Sequence, residues 1–155
     1  MKTIISTAIL SVMFAATAHA SQNVTFSTTI QDNIGCGLSV HNSTGGIRLM
    51  DDNNGYEDVH GYITTGMHDT NVRLSISTAA VEQGNIDTAM GRFNVSIGNE
   101  WQTIQMSDGG IVGGSLRNED YFNINAEVDQ TRADLGVGTH AISATIELLC
   151  DTSNK

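Results

Sequence analysis

The chain has 155 residues, Lys+Arg 7 against Asp+Glu 17, no proline and two cysteines, and a formal net charge of −10. Such a balance repels phosphate backbones and anionic lipid, which excludes nucleic-acid and charged-membrane binding as its business. The length allows one domain with a single core after a leader is removed.

Residues 1–20 read as a secretory signal peptide. Lys2 gives the positive start, residues 4–16 are largely apolar, and Ala18-His19-Ala20 is a small-x-small cleavage pattern with Ser21 next. The apolar run is too short for a membrane span. The leader carries only Lys2, so the mature balance is 6 − 17 = −11. The expectation is a soluble, exported chain, with no membrane span and no nucleic-acid partner.

The mature chain begins with NVTFSTTIQ, residues 23–31. Val24, Phe26, Thr28 and Ile30 alternate with Thr25, Ser27 and Thr29, the pattern of a half-buried strand rich in β-branched residues. Leu38 and Val40 follow Gly35-Cys36-Gly37. A turn is expected over residues 42–46, then a short run over 47–50 and a polar loop over 51–58. A strand is expected at 59–64. Val72, Leu74 and Ile76 alternate in another, and residues 79–90 hold the one place for a helical turn. Phe93, Val95 and Ile97 lead through a Gly98-Asn99 hairpin into residues 101–106. Turns are expected at Asp108-Gly109-Gly110 and at Gly113-Gly114. Phe122, Ile124, Ala126 and Val128 alternate again. After residues 136–138 comes the last strand, 139–150, with Ile142, Ala144, Ile146 and Leu148 on one face. Eight or so short strands with glycine-rich turns and no sustained helical period predict an all-β sandwich.

Export places Cys36 and Cys150 in an oxidising compartment, where one intramolecular disulfide is the economical reading. Two free thiols or an intermolecular bond are the alternatives. Such a link closes a loop of more than 100 residues, worth about 4–5 kcal/mol in the chain-entropy picture. The absence of proline removes one device for blunting sheet edges.

Leader, alternating strand (VTFSTTIQ), early cysteine (NIGCGLSV), Gly/Asn-rich body and closing strand (GVGTHAISATIEL) together resemble the pilin subunits of the bacterial chaperone–usher pathway, whose plan spore-coat-U-type relatives share. The resemblance spans the mature chain through order and pattern. It implies an immunoglobulin-like β-sandwich that lacks one strand and is completed by donor-strand exchange. Residues 21–31 would then form the donor strand and residues 32–155 the pilin domain. Val24, Phe26, Thr28 and Ile30 would enter a groove flanked by the segment starting near Cys36 and by the last strand. Ile142, Ala144, Ile146 and Leu148 would line that groove. Its partners would be identical or related subunits, a periplasmic chaperone, an outer-membrane usher and possible host or surface receptors. The chain would pass through the periplasm to a cell-surface fimbrium.

Other chemistry is thinner. Residues 51–58 (DDNNGYED) gather oxygen ligands around a glycine but miss the EF-hand template, and a solvated acidic turn is the simpler reading. His60, His68 and Asp69 lie near it, and His41 and His140 elsewhere, none at a diagnostic metal spacing. No G-x-S-x-G is present, so no catalytic residue, metal or cofactor is assigned. Trp101, beside the expected hairpin, is expected to be a core anchor. One Trp and three Tyr make a poor sugar cleft. Asn23-Val24-Thr25 and Asn94-Val95-Ser96 match glycosylation acceptors. The functional expectation is a fimbrial structural subunit; the alternative is a self-contained secreted module binding a carbohydrate or protein, with or without calcium.

Overall fold

A computed structural model describes residues 22–29, 36–52, 56–65, 70–116 and 119–150. The expected leader (residues 1–20), Ile30, Asn53 to Gly55, His68, Asp69 and residues 151–155 lie outside the described residues. The side chains of Thr28, Cys36 and Cys150 do too, and with them the expected disulfide.

The described chain is all-β. Its strands are β1 (Gln22–Thr29), β2 (Cys36–Asn42), β3 (Thr44–Leu49), β4 (Val59–Thr65), β5 (Thr70–Ile76), β6 (Ala80–Gln83), β7 (Gly91–Ile97), β8 (Glu100–Gln105), β9 (Gly110–Leu116), β10 (Glu119–Val128) and β11 (His140–Cys150). A 3₁₀ turn (Thr88–Met90) and a one-turn helix, α1 (Arg132–Leu135), are the helical pieces among the described residues. The strands form two hydrogen-bonded sheets. One runs β3, β1, β11, β5, β9, with β6 beside the start of β11. The other runs β2, β4, β10, β7, β8. β3 belongs to both: its first half pairs with β1, and residues 47–49 pair with β10.

The period-two pattern explains the core. Val72, Leu74 and Ile76 of β5, Phe93, Val95 and Ile97 of β7, and Phe122, Ile124, Ala126 and Val128 of β10 are all buried, as their alternation predicts. Ring centroids of Phe26 and Phe93 stand 5.3 Å apart, one from each sheet, so the two apolar faces share this core. The Gly98-Asn99 hairpin joins β7 to β8 as expected, with Gly98 at φ 61.

Two expected turns are strand instead. Gly45 and Gly46 lie inside β3, where a Cβ on Gly45 would stand 2.8 Å from the Glu57 carbonyl oxygen and one on Gly46 would run into the Tyr56 ring. Gly114 lies inside β9, where a Cβ would stand 2.8 Å from Ile97 Cγ2. Glycine serves close approach at these places, not chain reversal. The helical turn expected over residues 79–90 is strand β6 followed by the 3₁₀ turn. α1 was not expected, although Thr131-x-x-Asp134 is its capping box: Thr131 Oγ1 accepts from the Asp134 N–H, and the Asp134 carboxylate accepts from the Thr131 N–H.

β8 and β9 are outer strands that meet at one corner. There the Gln102 side chain acts as a missing peptide: its Nε2 donates to the Gly113 carbonyl at 2.6 Å and its Oε1 accepts from the Gly113 N–H at 3.4 Å. Gln102→Ala is therefore expected to cost about 1–2 kcal/mol and to open an edge that self-associates. Thermal melts with light scattering read both effects.

Candidate functional site

The expected donor strand lies in the chain's own fold. β1 runs parallel to β11 over its whole length, with Val24 opposite Ile142, Phe26 opposite Ala144 and Thr28 opposite Ile146. On its other side, residues 23–25 pair antiparallel with Thr44 to Gly46 of β3. Phe26 N–H also donates to the Ser43 carbonyl at 2.9 Å. Ladders thus hold both edges of the strand. Val24 and Phe26 are 1% and 2% exposed, at the level of the rest of the core. The wall residues Ile142, Ala144, Ile146 and Leu148 are buried beside them. The second wall is β3, not the strand that starts at Cys36, because β2 pairs with β4 in the other sheet. β2 and β3 are nearly continuous, and only the second half of that stretch reaches β1.

Position sets this geometry. β6 takes one edge of β11 over residues 141–143 and β5 takes it over 146–150, which leaves the opposite edge for β1. At the mouth of the pairing, Gln22 opposes His140. The His140 ring is buried, with Nδ1 accepting from the Asn85 N–H and Nε2 donating to the Gly136 carbonyl, both at 3.3 Å. Gly84, at φ 87, leaves room for that ring: a Cβ there would run into Nδ1.

The acidic loop is committed elsewhere. The Arg132 N–H donates to the Asp51 carboxylate at 3.1 Å, and its guanidinium pairs with buried Asp52 at 2.8 Å, so both aspartates fasten α1. Among the described residues no group of three His, Cys, Asp or Glu is disposed to hold a metal ion. Asp58 lies beyond, beside the Asn125 amide, whose nitrogen donates to it once the amide is turned over. Burial raises its carboxyl above the usual 3.8, while Arg48 and His60 pull the other way. An acid whose folded pKa is raised loses stability as pH rises from its unfolded value through its folded one. Asp58→Asn is thus expected to raise the thermal midpoint at pH 7 and to leave it unchanged well below pH 3.8. Melting curves across that range check it.

Trp101 corrects an expectation. It is 56% exposed, on the outer face of β8, whereas Ile104 and Met106 of the opposite parity are buried. The same sheet carries an aromatic row on β2, β4 and β10. The His41 and Tyr62 ring centroids are 4.6 Å apart, those of Tyr62 and Tyr121 are 4.3 Å apart, and the tyrosine hydroxyls are hydrogen-bonded at 3.1 Å. His41 reaches Tyr62 from the irregularity where β2 gains one residue on β4 between Val40 and Asn42. His60 is exposed on the same strand as Tyr62, its Nδ1 3.1 Å from the Asp58 carbonyl.

No family model matches the chain, and no curated protein matches it.

Proposed function

We propose that the chain is a structural subunit of a bacterial surface fibre, an immunoglobulin-like sandwich whose place for one strand is filled by an N-terminal donor strand. One observation carries the reading. β1 is an inner strand, paired on both edges and seated in the core through Val24 and Phe26, and removal of the expected leader would leave it joined to the remainder by one connection. Its removal uncovers two strand edges and an apolar trough. A neighbour's copy of the strand can fill that trough with the same main-chain bonds and alternate side chains. Burying Val and Phe at about 1.5–3 kcal/mol each supplies the gross drive.

Pairing in cis is the closed form of the monomer, and pairing in trans is its swap. Head-to-tail exchange is heterologous and open, so it propagates as a fibre. Chaperone, usher and periplasmic passage belong to this reading.

The cis pairing itself favours a second reading: a self-contained secreted β-domain that binds a carbohydrate or protein ligand. The experiment compares residues 21–155 with residues 32–155 on unheated SDS gels and by chromatography, with and without a synthetic peptide of residues 22–31. The fibre reading expects a ladder from the longer chain, none from the shorter, and capture of the peptide by the shorter. A longer chain that stays monomeric at every concentration, with no peptide capture, leaves the second reading.

A further inference from the structure

Tyr62 and Tyr121 form a pair that neither strand exchange nor the core uses. The two residues are direct register partners across β4 and β10. Their ring centroids stand 4.3 Å apart at 47°, which puts the rings in contact. The Tyr62 hydroxyl donates to the Tyr121 hydroxyl at 3.1 Å. Tyr121 is 55% exposed, so water and small reagents reach the pair from its side.

β4 lies between β2 and β10, and Tyr62 accordingly has His41 on one flank and Tyr121 on the other. A ligand ring finds no place against Tyr62 without displacing one of them. The third tyrosine, Tyr56, lies against Gly46 of β3.

Two phenols held in this way suit one chemistry. Loss of an electron makes a phenol strongly acidic, so a proton acceptor must already be in place. Tyr62 has one in the Tyr121 hydroxyl, and Tyr121 has water. A phenoxyl radical carries much of its unpaired density on the carbons ortho to oxygen. Those carbons flank the two hydroxyls that already touch. We propose that Tyr62 and Tyr121 are an oxidative modification site, coupled by a peroxide-fed one-electron oxidant into an intramolecular dityrosine.

Each phenol gives up one electron and its hydroxyl proton. A carbon–carbon bond then forms between one ortho carbon of each ring. The hydrogen on each joined carbon moves to oxygen, which restores both phenols. The pair has then lost two electrons and two protons, and one hydrogen peroxide takes all four to become two waters. The new bond ties positions 59 residues apart in the chain. Like a disulfide, it restricts the unfolded state and so stabilises the folded one. β4 and β10 belong to the sheet opposite the β1–β11 ladder, so the link goes beyond strand exchange and forms whether β1 is resident or donated.

The test treats the mature chain, dilute and folded, with hydrogen peroxide and a haem peroxidase. Trypsin cuts after Arg48, Arg73, Arg117 and Arg132. Expected are the violet emission of dityrosine and a joined pair of peptides, residues 49–73 and 118–132, lacking two hydrogens. Tyr62→Phe and Tyr121→Phe each remove only a hydroxyl and are expected to abolish both signals while the chain stays folded. Tyr56→Phe is expected to leave both, which assigns the link to Tyr62 within its peptide. The oxidised chain is expected to melt higher than the untreated one. Unfolding in urea beforehand is expected to slow intramolecular coupling at least about tenfold, because the fold alone holds the rings in contact. An equal rate in urea overturns the proposal, as does a joined pair that survives Tyr62→Phe. So does oxidation that ends as dityrosine between chains, seen as dimers on denaturing gels, or as oxygen added to Trp101 with both tyrosines untouched.

Discussion

Phe26→Ala is expected to lower the unfolding free energy of the mature chain by about 3–5 kcal/mol, a large share of the roughly 5–15 kcal/mol that a domain has. The ring is 2% exposed and meets Phe93 at 5.3 Å and 59°, so it joins the sheet that holds β1 to the sheet that holds β7. Its register partner on β11 is Ala144, a side chain too small to follow into the space left behind. Collapse around the gap is restricted as well, because ladders on both edges keep β1 in place. The cavity term therefore adds to the transfer term. Urea unfolding should show a lower midpoint at unchanged slope. In the fibre reading the same substitution is expected to weaken a donated strand as well as a resident one. An unfolding midpoint within error of the parent would mean that β1 is an appendage, and the fibre reading would fall with it.

Strand positions were legible where one face of a strand is apolar and the other polar. β5, β7, β10 and β11 announce themselves through alternation alone, and β1 does so in residues 24–30. Glycine was the main source of error. Gly45, Gly46 and Gly114 read as punctuation in sequence, but each sits in a strand where a Cβ would strike a neighbouring side chain or carbonyl. Local sequence cannot separate a turn glycine from one that admits a neighbour, because the neighbour comes from elsewhere in the chain. Strand order was hidden for the same reason. That β3 rather than β2 borders β1 follows from β2 being taken by β4, a choice made by tertiary pairing.

The outer-face aromatics were legible and passed over. Residues 104 and 106 are apolar and of one parity, so residue 101 is of the other, and period two alone turns Trp101 to solvent. Tyr62 and Tyr121 likewise stand next to the core residues Ile63 and Phe122 and must face away from them. The reading that made Trp101 a core anchor followed residue type over parity. What parity could not supply is the row itself, because contact among His41, Tyr62 and Tyr121 needs three strands in register and an added residue in β2.

Gly61→Ala is expected to be nearly as damaging as the loss of the Phe26 ring, for the opposite reason. A Cβ at this place in β4 would run into the Ser39 carbonyl oxygen and stand 2.8 Å from Phe122 Cε1 and 2.9 Å from Val40 Cα. Two of the three obstacles are main chain of β2, which cannot rotate away as a side chain would. Among the described residues β2 has β4 as its one ladder partner, so relief comes from moving β2 outward. Overpacking of this kind costs about 1–3 kcal/mol, and more where backbone must shift. The displacement would fall just before the added residue that brings His41 onto Tyr62, so the aromatic row should break with it. Hydrogen exchange separates this outcome from general unfolding. Amides of residues 37–42 should lose protection, while those of the β1–β11 ladder keep theirs. If both ladders lose protection together, β2 is part of one cooperative unit with β1, and β1 would not leave alone.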